Sequence, residues 1–336
     1  MANTTIKKLA HELNLSVGTV SKALKDSHEI SIETKRKVHE LVNKLNYVPN
    51  PYASSLRKRK SKTIAVVLPE VADSFFSLAI NGIEAVAQDK GYHVLIYLTH
   101  ENFSKEQSIL KDFTSGRVDG ILISVSRETT QGNHICDVQT LGIPVVFFDR
   151  VCDEVETAKV TTNDFESGYV AAKHLIVRGC KQITYLSISN TLSIANKRME
   201  GYCKALTDHR METKENGVVF CTNNEAYNYN AIKNLMSNKD HPDGLIASVE
   251  KLTITVYHVC NDLNLQIPQD VKVISFSNLS SALILNPSLT TITQPAFEMG
   301  EAAASLLFNA LEKRNFILKG ENIILPSVLN IRNSTK

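Results

Sequence analysis

Two groups of residues in this 336-residue chain could do chemistry, and in both the chemistry is non-covalent. The first is basic. Residues 1–62 hold 13 Lys and Arg against 5 Asp and Glu, +8, whereas the whole chain is +2 and the remainder therefore −6. A cationic end on an acidic body is the asymmetry of a module that neutralises phosphates. The second group is polar and recurs where short apolar runs end: Asp73-Ser74, Ser124, Asp149-Arg150 and Ser277-Asn278. Each alone reads as an ordinary helix-start residue; together they could rim a ligand site. Covalent chemistry finds no such support. No Gly-x-Gly-x-x-Gly follows an apolar run, no nucleophile elbow occurs, and the ten histidines show no metal-ligand spacing. The six cysteines are scattered without a Cys-x-x-Cys pair, which reads as reduced thiols and neither a metal site nor a disulfide. The expectation is a binding protein with no cofactor, and no enzyme.

The basic group needs helices to position it. Ile6, Leu9, Ala10 and Leu13 recur at i, i+3, i+4 and i+7, one apolar helix face. Ser16 can cap a second helix carrying Val17, Val20 and Leu24, and Ser31 a third with Val38, Leu41, Val42 and Leu45. Two helices joined by a short turn, with a third across them, make a helix-turn-helix reader or an ordinary three-helix bundle with a solvated basic face. Next, Asn50 can cap a helix with Pro51 at its first position; Tyr52–Leu56 is about one and a half turns, followed by Arg57, Lys58, Arg59, Lys60 and Lys62. So short a helix is marginal alone in water. The segment is a conditional hinge helix or a flexible basic linker.

The polar group needs strands. From Thr63 the chain alternates. Apolar runs at 63–68, 93–98, 120–124 and 144–148 read as strands, with helical spacing at 76–90, 106–116 and 135–141 between them. A second series follows: helices at 164–178, 198–206, 231–236 and 250–263, strands at 183–187, 217–220, 244–247 and 271–276. A helix at 297–311 and strand-like residues 323–331 return through both series. Strands without an exposed face belong to parallel α/β sheets, whose ligands sit outside the strands' carboxyl ends. Two such lobes facing each other form a cleft. No run of about 18 apolar residues spans a membrane, and no secretory leader is recognisable, so the expected location is cytoplasmic.

The chain resembles the lactose/galactose repressor (LacI/GalR) family of bacterial transcription regulators. The matching residues are Thr5-Ile6, Ala10, Val17-Gly18-Thr19-Val20-Ser21-Lys22, Ser31, Thr34, Tyr47-Val48-Pro49-Asn50, Ala53, Ser55 and Leu56. In the body they include Val118-Asp119-Gly120, Gly142-Ile143-Pro144, Asp149-Arg150, Arg198 with Gly201-Tyr202, Gln294-Pro295 and Glu298-Met299-Gly300. The resemblance implies a helix-turn-helix headpiece (1–48), a hinge helix with basic linker (49–62), and a two-lobed parallel α/β sensor similar to periplasmic binding proteins. Its lobes are expected at 63–161 with 292–324 and at 162–291 with 325–336.

By position, the resemblance implies that Val17, Gly18 and Lys22 face base edges, that Thr5, Ser16, Thr19, Ser21, Thr34 and Asn50 hold phosphates, and that Ala53 and Leu56 contact DNA from the hinge, Leu56 as a minor-groove wedge. Lys22 stands where arginine is usual, a flexible point charge in place of a bidentate fork; Gly18 offers no side chain. The implied effector set is Asp73, Phe75, Phe76, Ser124, Asp149, Arg198, Asn223, Glu250, Ser277 and Gln294, with Arg198 as the principal contact. Ser277-Asn278 replaces a commoner Asp pair, Val249-Glu250 replaces Asn-Asp, and no tryptophan is present to stack on a sugar ring. The expected function is a repressor that binds pseudo-palindromic operator DNA as a homodimer and is switched by a small ligand. A sugar or sugar derivative is the default, a nucleobase or sugar acid acting as corepressor the alternative. No apolar heptad tail follows Asn330, so a dimer is expected and no tail-assembled tetramer.

Overall fold

The computed structural model describes residues 5–45, 47, 61–211, 217–313 and 316–336, which fall into two compact units, 1–59 and 60–336. In the first unit the apolar spacing gives three helices: α1 (Ile6–Glu12), α2 (Val17–Ala23) and α3 (Ile32–Lys44). Each starts on a hydroxyl cap. Thr5 accepts from the Lys8 N–H, Ser16 from Thr19 and Ser31 from Thr34, at 3.3, 3.0 and 3.2 Å. Asn14, at φ +50°, turns the chain between α1 and α2. Leu9, Ala10, Val20, Ala23 and Val38 are buried where the helices meet. The hinge residues Asn50, Ala53 and Leu56 lie outside the described residues.

The second unit holds two six-stranded sheets of one topology. The first contains β1 (Thr63–Leu68), β2 (His93–Leu98), β3 (Gly120–Ile123), β4 (Val145–Phe148), β5 (Lys159–Thr162) and β11 (Asn322–Leu325), in the order β11-β5-β4-β3-β1-β2, all parallel. The second contains β6 (Ile183–Ser187), β7 (Val218–Phe220), β8 (Gly244–Ala247), β9 (Lys272–Phe276), β10 (Thr290–Thr293) and β12 (Val328–Asn330), in the order β12-β10-β9-β8-β6-β7, with only β12 antiparallel. Their buried central strands, such as the six fully buried residues of β1, explain the unbroken apolar runs. In each sheet the order reverses beside the first strand, between β1 and β3 and between β6 and β8, which opens a crevice at the carboxyl ends.

Helices α4 (Ser74–Asp89), α5 (Phe103–Phe113), α6 (Asn133–Thr140) and α11 (Ala296–Glu312) cover the first sheet; α7 (Asp164–Val177), α8 (Ser193–Asp208), α9 (Glu225–Met236) and α10 (Glu250–Asp262) cover the second. None among the described residues is long and apolar enough to cross a membrane. Two helix pairs pack with their backbones touching. A Cβ on Gly82 of α4 would lie 2.1 Å from the Phe297 carbonyl oxygen, and one on Gly300 of α11 2.1 Å from that of Ala79. The α7–α8 pair repeats the arrangement with Gly168 and Gly201, 2.0 Å from the carbonyls of Arg198 and Phe165.

Among the described residues the chain passes between the sheets three times, at Asn163, at Gln294–Pro295 and at Pro326–Ser327, one to three residues beyond the boundaries read from the sequence. Strands β5 and β10 escape an apolar-run reading because threonine and lysine make up most of both. Asn163 ties two crossings together: its Oδ1 accepts from the Ser327 N–H at 2.8 Å and from the Ser167 hydroxyl at 3.1 Å.

Candidate functional site

The carboxyl ends of both sheets meet in a closed cleft. Past β1, Asp73 caps α4, its Oδ1 accepting from the Phe75 N–H at 2.9 Å. Past β4, Asp149 is 5 % exposed and held at φ +60°, a left-handed conformation that, glycine apart, short polar residues tolerate best. On α8, Arg198 is 3 % exposed. With Phe75, Phe76, Ser277 and Gln294 these residues enclose about 30 Å³, room for a single water. Phe75 and Phe76 meet edge to face at 5.3 Å and form the apolar wall.

Glu250 closes the cleft from the second lobe. Its Oε1 accepts from the Ser74 N–H at 2.8 Å, at the start of α4, and its Oε2 from the Ser277 hydroxyl at 3.0 Å. Further ties are the Thr191 hydroxyl donating to the Arg127 carbonyl at 3.0 Å and Lys251 pairing with Glu70 at 3.4 Å. Gln294, on a crossing, donates to Asp149 Oδ1 at 3.4 Å. Burial, and then the nearby Glu250 carboxylate, push Asp73 up to about 6; burial likewise pushes Asp149 up to about 6.

Three sequence expectations are placed differently. Arg198 is largely committed within the protein: Nε pairs with Asp164 Oδ1 at 2.7 Å, Nη1 donates to the Ser248 carbonyl at 3.1 Å, and the guanidinium lies 4.3 Å from the Phe276 ring. Its Nη2 has no partner among the described residues. Ser124 is fully buried at the end of β3, where its hydroxyl accepts from the Arg150 N–H at 3.4 Å, away from the enclosed space. Asn223 is exposed and bonds Lys251 at 3.1 Å, lining a separate cavity of about 460 Å³ at the cleft's side.

Sequence reasoning missed Asp164 and Ser248, and it named Arg150 at the rim without placing it in the effector set. Arg150 lines the cleft while its Nη1 forks onto both oxygens of Glu101 at 2.8 and 3.0 Å. The adjacency Asp149-Arg150 was a usable signal; nothing in the spacing reveals that Asp164 serves Arg198.

In the headpiece, α2 buries Val20 and Ala23 and leaves Val17 41 % exposed. Lys22 is exposed and Gly18 and Ser21 half-buried. Lys22 is ion-paired with Glu29. A side chain at Gly18 would meet only the Ser16 hydroxyl, at 3.6 Å, so internal packing does not demand glycine there. Thr5 and Ser16 are exposed; Thr19 and Thr34 are half-buried, their hydroxyls 2.9 Å from those of Ser16 and Ser31, at helix starts where N–H groups favour anions. In the body, Asp119 anchors the end of the linker: Oδ1 accepts from the Ser61 N–H and hydroxyl at 2.6 and 2.9 Å, and Oδ2 from the Lys62 N–H at 3.0 Å.

Comparison with known proteins agrees with both units. Residues 5–50 match the model for bacterial regulatory proteins of the lacI family, and residues 61–331 that for periplasmic binding proteins and the sugar binding domain of the LacI family. Catabolite control protein A of Priestia megaterium is 26% identical over 99% of this chain and 100% of its own length. The HTH-type transcriptional repressor PurR of Mannheimia succiniciproducens is 28% identical over 99% of this chain and 98% of its own. The Lac repressor dimer bound to operator and the anti-inducer ONPF superposes with a TM-score of 0.85 at 20% identity, covering 99% of both chains. With family matches to both the headpiece and the body, the chain belongs to the LacI family of bacterial regulatory proteins: it is a DNA-binding transcription regulator with a ligand-binding sensor body.

Proposed function

We propose that this regulator is a repressor that holds a pseudo-palindromic operator as a homodimer and changes its grip when a sugar or sugar derivative enters the cleft. The observation that carries the effector half is the polar floor shared by both lobes, where Asp149, Arg198 and Gln294 are buried around a space too small for a ligand in the present closed form. A ligand must displace the Glu250–Ser74 tie to enter, so binding and lobe angle are coupled. Asp73, Phe75, Phe76, Asp149, Arg198, Glu250, Ser277 and Gln294 form the contact set, and Asn223 and Ser124 are supporting positions.

The headpiece (1–48) reads the major groove with Val17, Gly18 and Lys22 of α2, and Thr5, Ser16, Thr19, Ser21 and Thr34 hold phosphates. Lys22 must leave Glu29 to reach a base. The hinge (49–62), with Asn50, Ala53 and Leu56, is assigned from sequence alone. Dimerisation follows from the Lac repressor dimer and from the two-fold symmetry of paired half-sites. The working place is the cytoplasm, where the DNA is, and no catalytic role is assigned.

The test is a titration of the purified protein onto its upstream DNA, with and without each member of a monosaccharide panel. A ligand that raises the body's melting temperature must also change operator affinity, because effector and operator act on one equilibrium. A ligand that stabilises the body and leaves operator affinity untouched refutes the coupling.

A further inference from the structure

The charges of the cleft do not balance. Among the described residues, five carboxylates, those of Asp73, Glu101, Asp149, Asp164 and Glu250, stand in or against it, facing the guanidiniums of Arg150 and Arg198, with Arg127 beside Glu101 as the third. Asp164 takes Arg198 at 2.7 Å, and Glu101 takes Arg150 at 2.8 Å. Asp149 is left with the Arg150 Nε at 3.9 Å and a weak bond from Gln294. Among the described residues, Asp73 and Glu250 are satisfied by backbone N–H groups and one hydroxyl alone. At the mouth, Lys251 is held by Glu70 and Asn223.

A second observation is independent of the carboxylates. Among the described residues, Arg198 Nη2 and Arg150 Nε have no hydrogen-bond partner, and both side chains line the enclosed space at 3 % and 7 % exposure. Buried donors left unpaired call for acceptors. The site therefore wants hydroxyl oxygens on its floor and a positive charge between its carboxylates. A neighbouring cavity of about 240 Å³, with Asp73 and Glu250 in its wall beside Ile254 and Leu279, can receive a single sugar ring.

We propose that the effector is a polyhydroxylated amine, an amino sugar, whose ammonium group sits between Asp73 and Glu250 while its hydroxyls meet Arg198 and Asp149. This rests on the reading of the cleft as the effector site. The ammonium replaces the Ser74 N–H as the partner of Glu250, so the same contact that selects the amine releases the tie between the lobes. A sugar acid or sugar phosphate would instead bring a further negative charge among carboxylates already in excess, which burial makes costly.

The test uses the full-length protein and calorimetric titration at about pH 7. The probes are glucose, galactose and mannose, their 2-amino-2-deoxy forms and their uronates. At least one amine is expected to bind tenfold or more tightly than its neutral parent, with the uronate weakest. Glu250→Gln is expected to cut the amine-to-parent preference at least fivefold, and Asp73→Asn to do the same if the first variant does not fold. A uronate or neutral parent binding tightest overturns the charge assignment, as does an amine preference unchanged in both variants. Failure of all nine probes to bind overturns the reading of the cleft as a monosaccharide site, and the amine proposal with it.

Discussion

Replacing Asp149 with asparagine should make the ligand-free protein more stable at pH 8 while abolishing its response to effector. Burial raises the Asp149 pKa from the ordinary 3.8 to about 6. A rise of about two units amounts to about 3 kcal/mol against the ionised form in the folded chain. The sign follows from proton counting. Below about pH 4 folded and unfolded chains both carry the proton and the cost is absent. Between about 4 and 6 the folded chain keeps a proton that the unfolded chain has lost, so stability falls as pH rises. Above about 6 both are ionised and the full cost is present. Asparagine removes the charge, retains the oxygen that accepts from Gln294, and tolerates the φ of +60° at this position. Thermal melts of parent and variant across pH 4 to 8 should therefore nearly coincide at the acid end and separate above pH 6. The variant should melt higher there by several degrees, at about 2 °C per kcal/mol for a chain of this size. Asp73, also pushed to about 6, stays in both proteins and gives each a falling slope in the same window. A variant less stable at pH 8, or a gap independent of pH, would show that Asp149 serves the fold and that burial of its charge carries no such cost.

Gly201→Ala forces α7 and α8 apart, since the new methyl would lie 2.0 Å from the Phe165 carbonyl oxygen. Urea unfolding should register a loss of about 1–3 kcal/mol, and because Arg198 is on the displaced helix, effector affinity should fall as well. Asp119→Asn loosens the three bonds that hold Ser61 and Lys62. Effector should bind as before while its effect on operator affinity shrinks at least threefold; unchanged coupling would remove the linker anchor from the switching route. Gly18→Ala has room and should stabilise α2 by up to about 1 kcal/mol, visible in the headpiece's thermal melt, with any change in operator preference reporting a base contact at that position. Leu56→Ala should weaken specific operator binding and leave salt-dependent non-specific binding in place, so gel-shift titrations on operator and random duplex that fall equally would remove the wedge.

The periodic elements were legible in the chain before folding. Helix faces such as Ile6/Leu9/Ala10/Leu13 and buried strands such as Thr63–Leu68 announce themselves because burial of one face or both demands a period of 3.6 or an unbroken apolar run. The caps Ser16 and Ser31 were legible for a similar reason: a helix start needs an acceptor within three residues, so cause and signal are local. Strands β5 and β10 were not, because their pairing with neighbours outweighs a composition dominated by threonine and lysine.

The amino-acid sequence by itself thus determined the three helices of the headpiece, the alternation of the body and the polar residues that end its strands, all effects that act over a few residues. What only the tertiary structure decided is which charges meet. Arg198 and Asp164 are 34 residues apart, and Ser74 and Glu250 are 176 apart. The first arises because the paired glycines Gly168 and Gly201 let α7 and α8 touch, and the second because two sheets of like topology face each other across the crossings. Buried charges interact over a few ångströms in a poorly screening interior, so the state of Asp149, Arg198 and Glu250 depends on neighbours that the order of residues does not name.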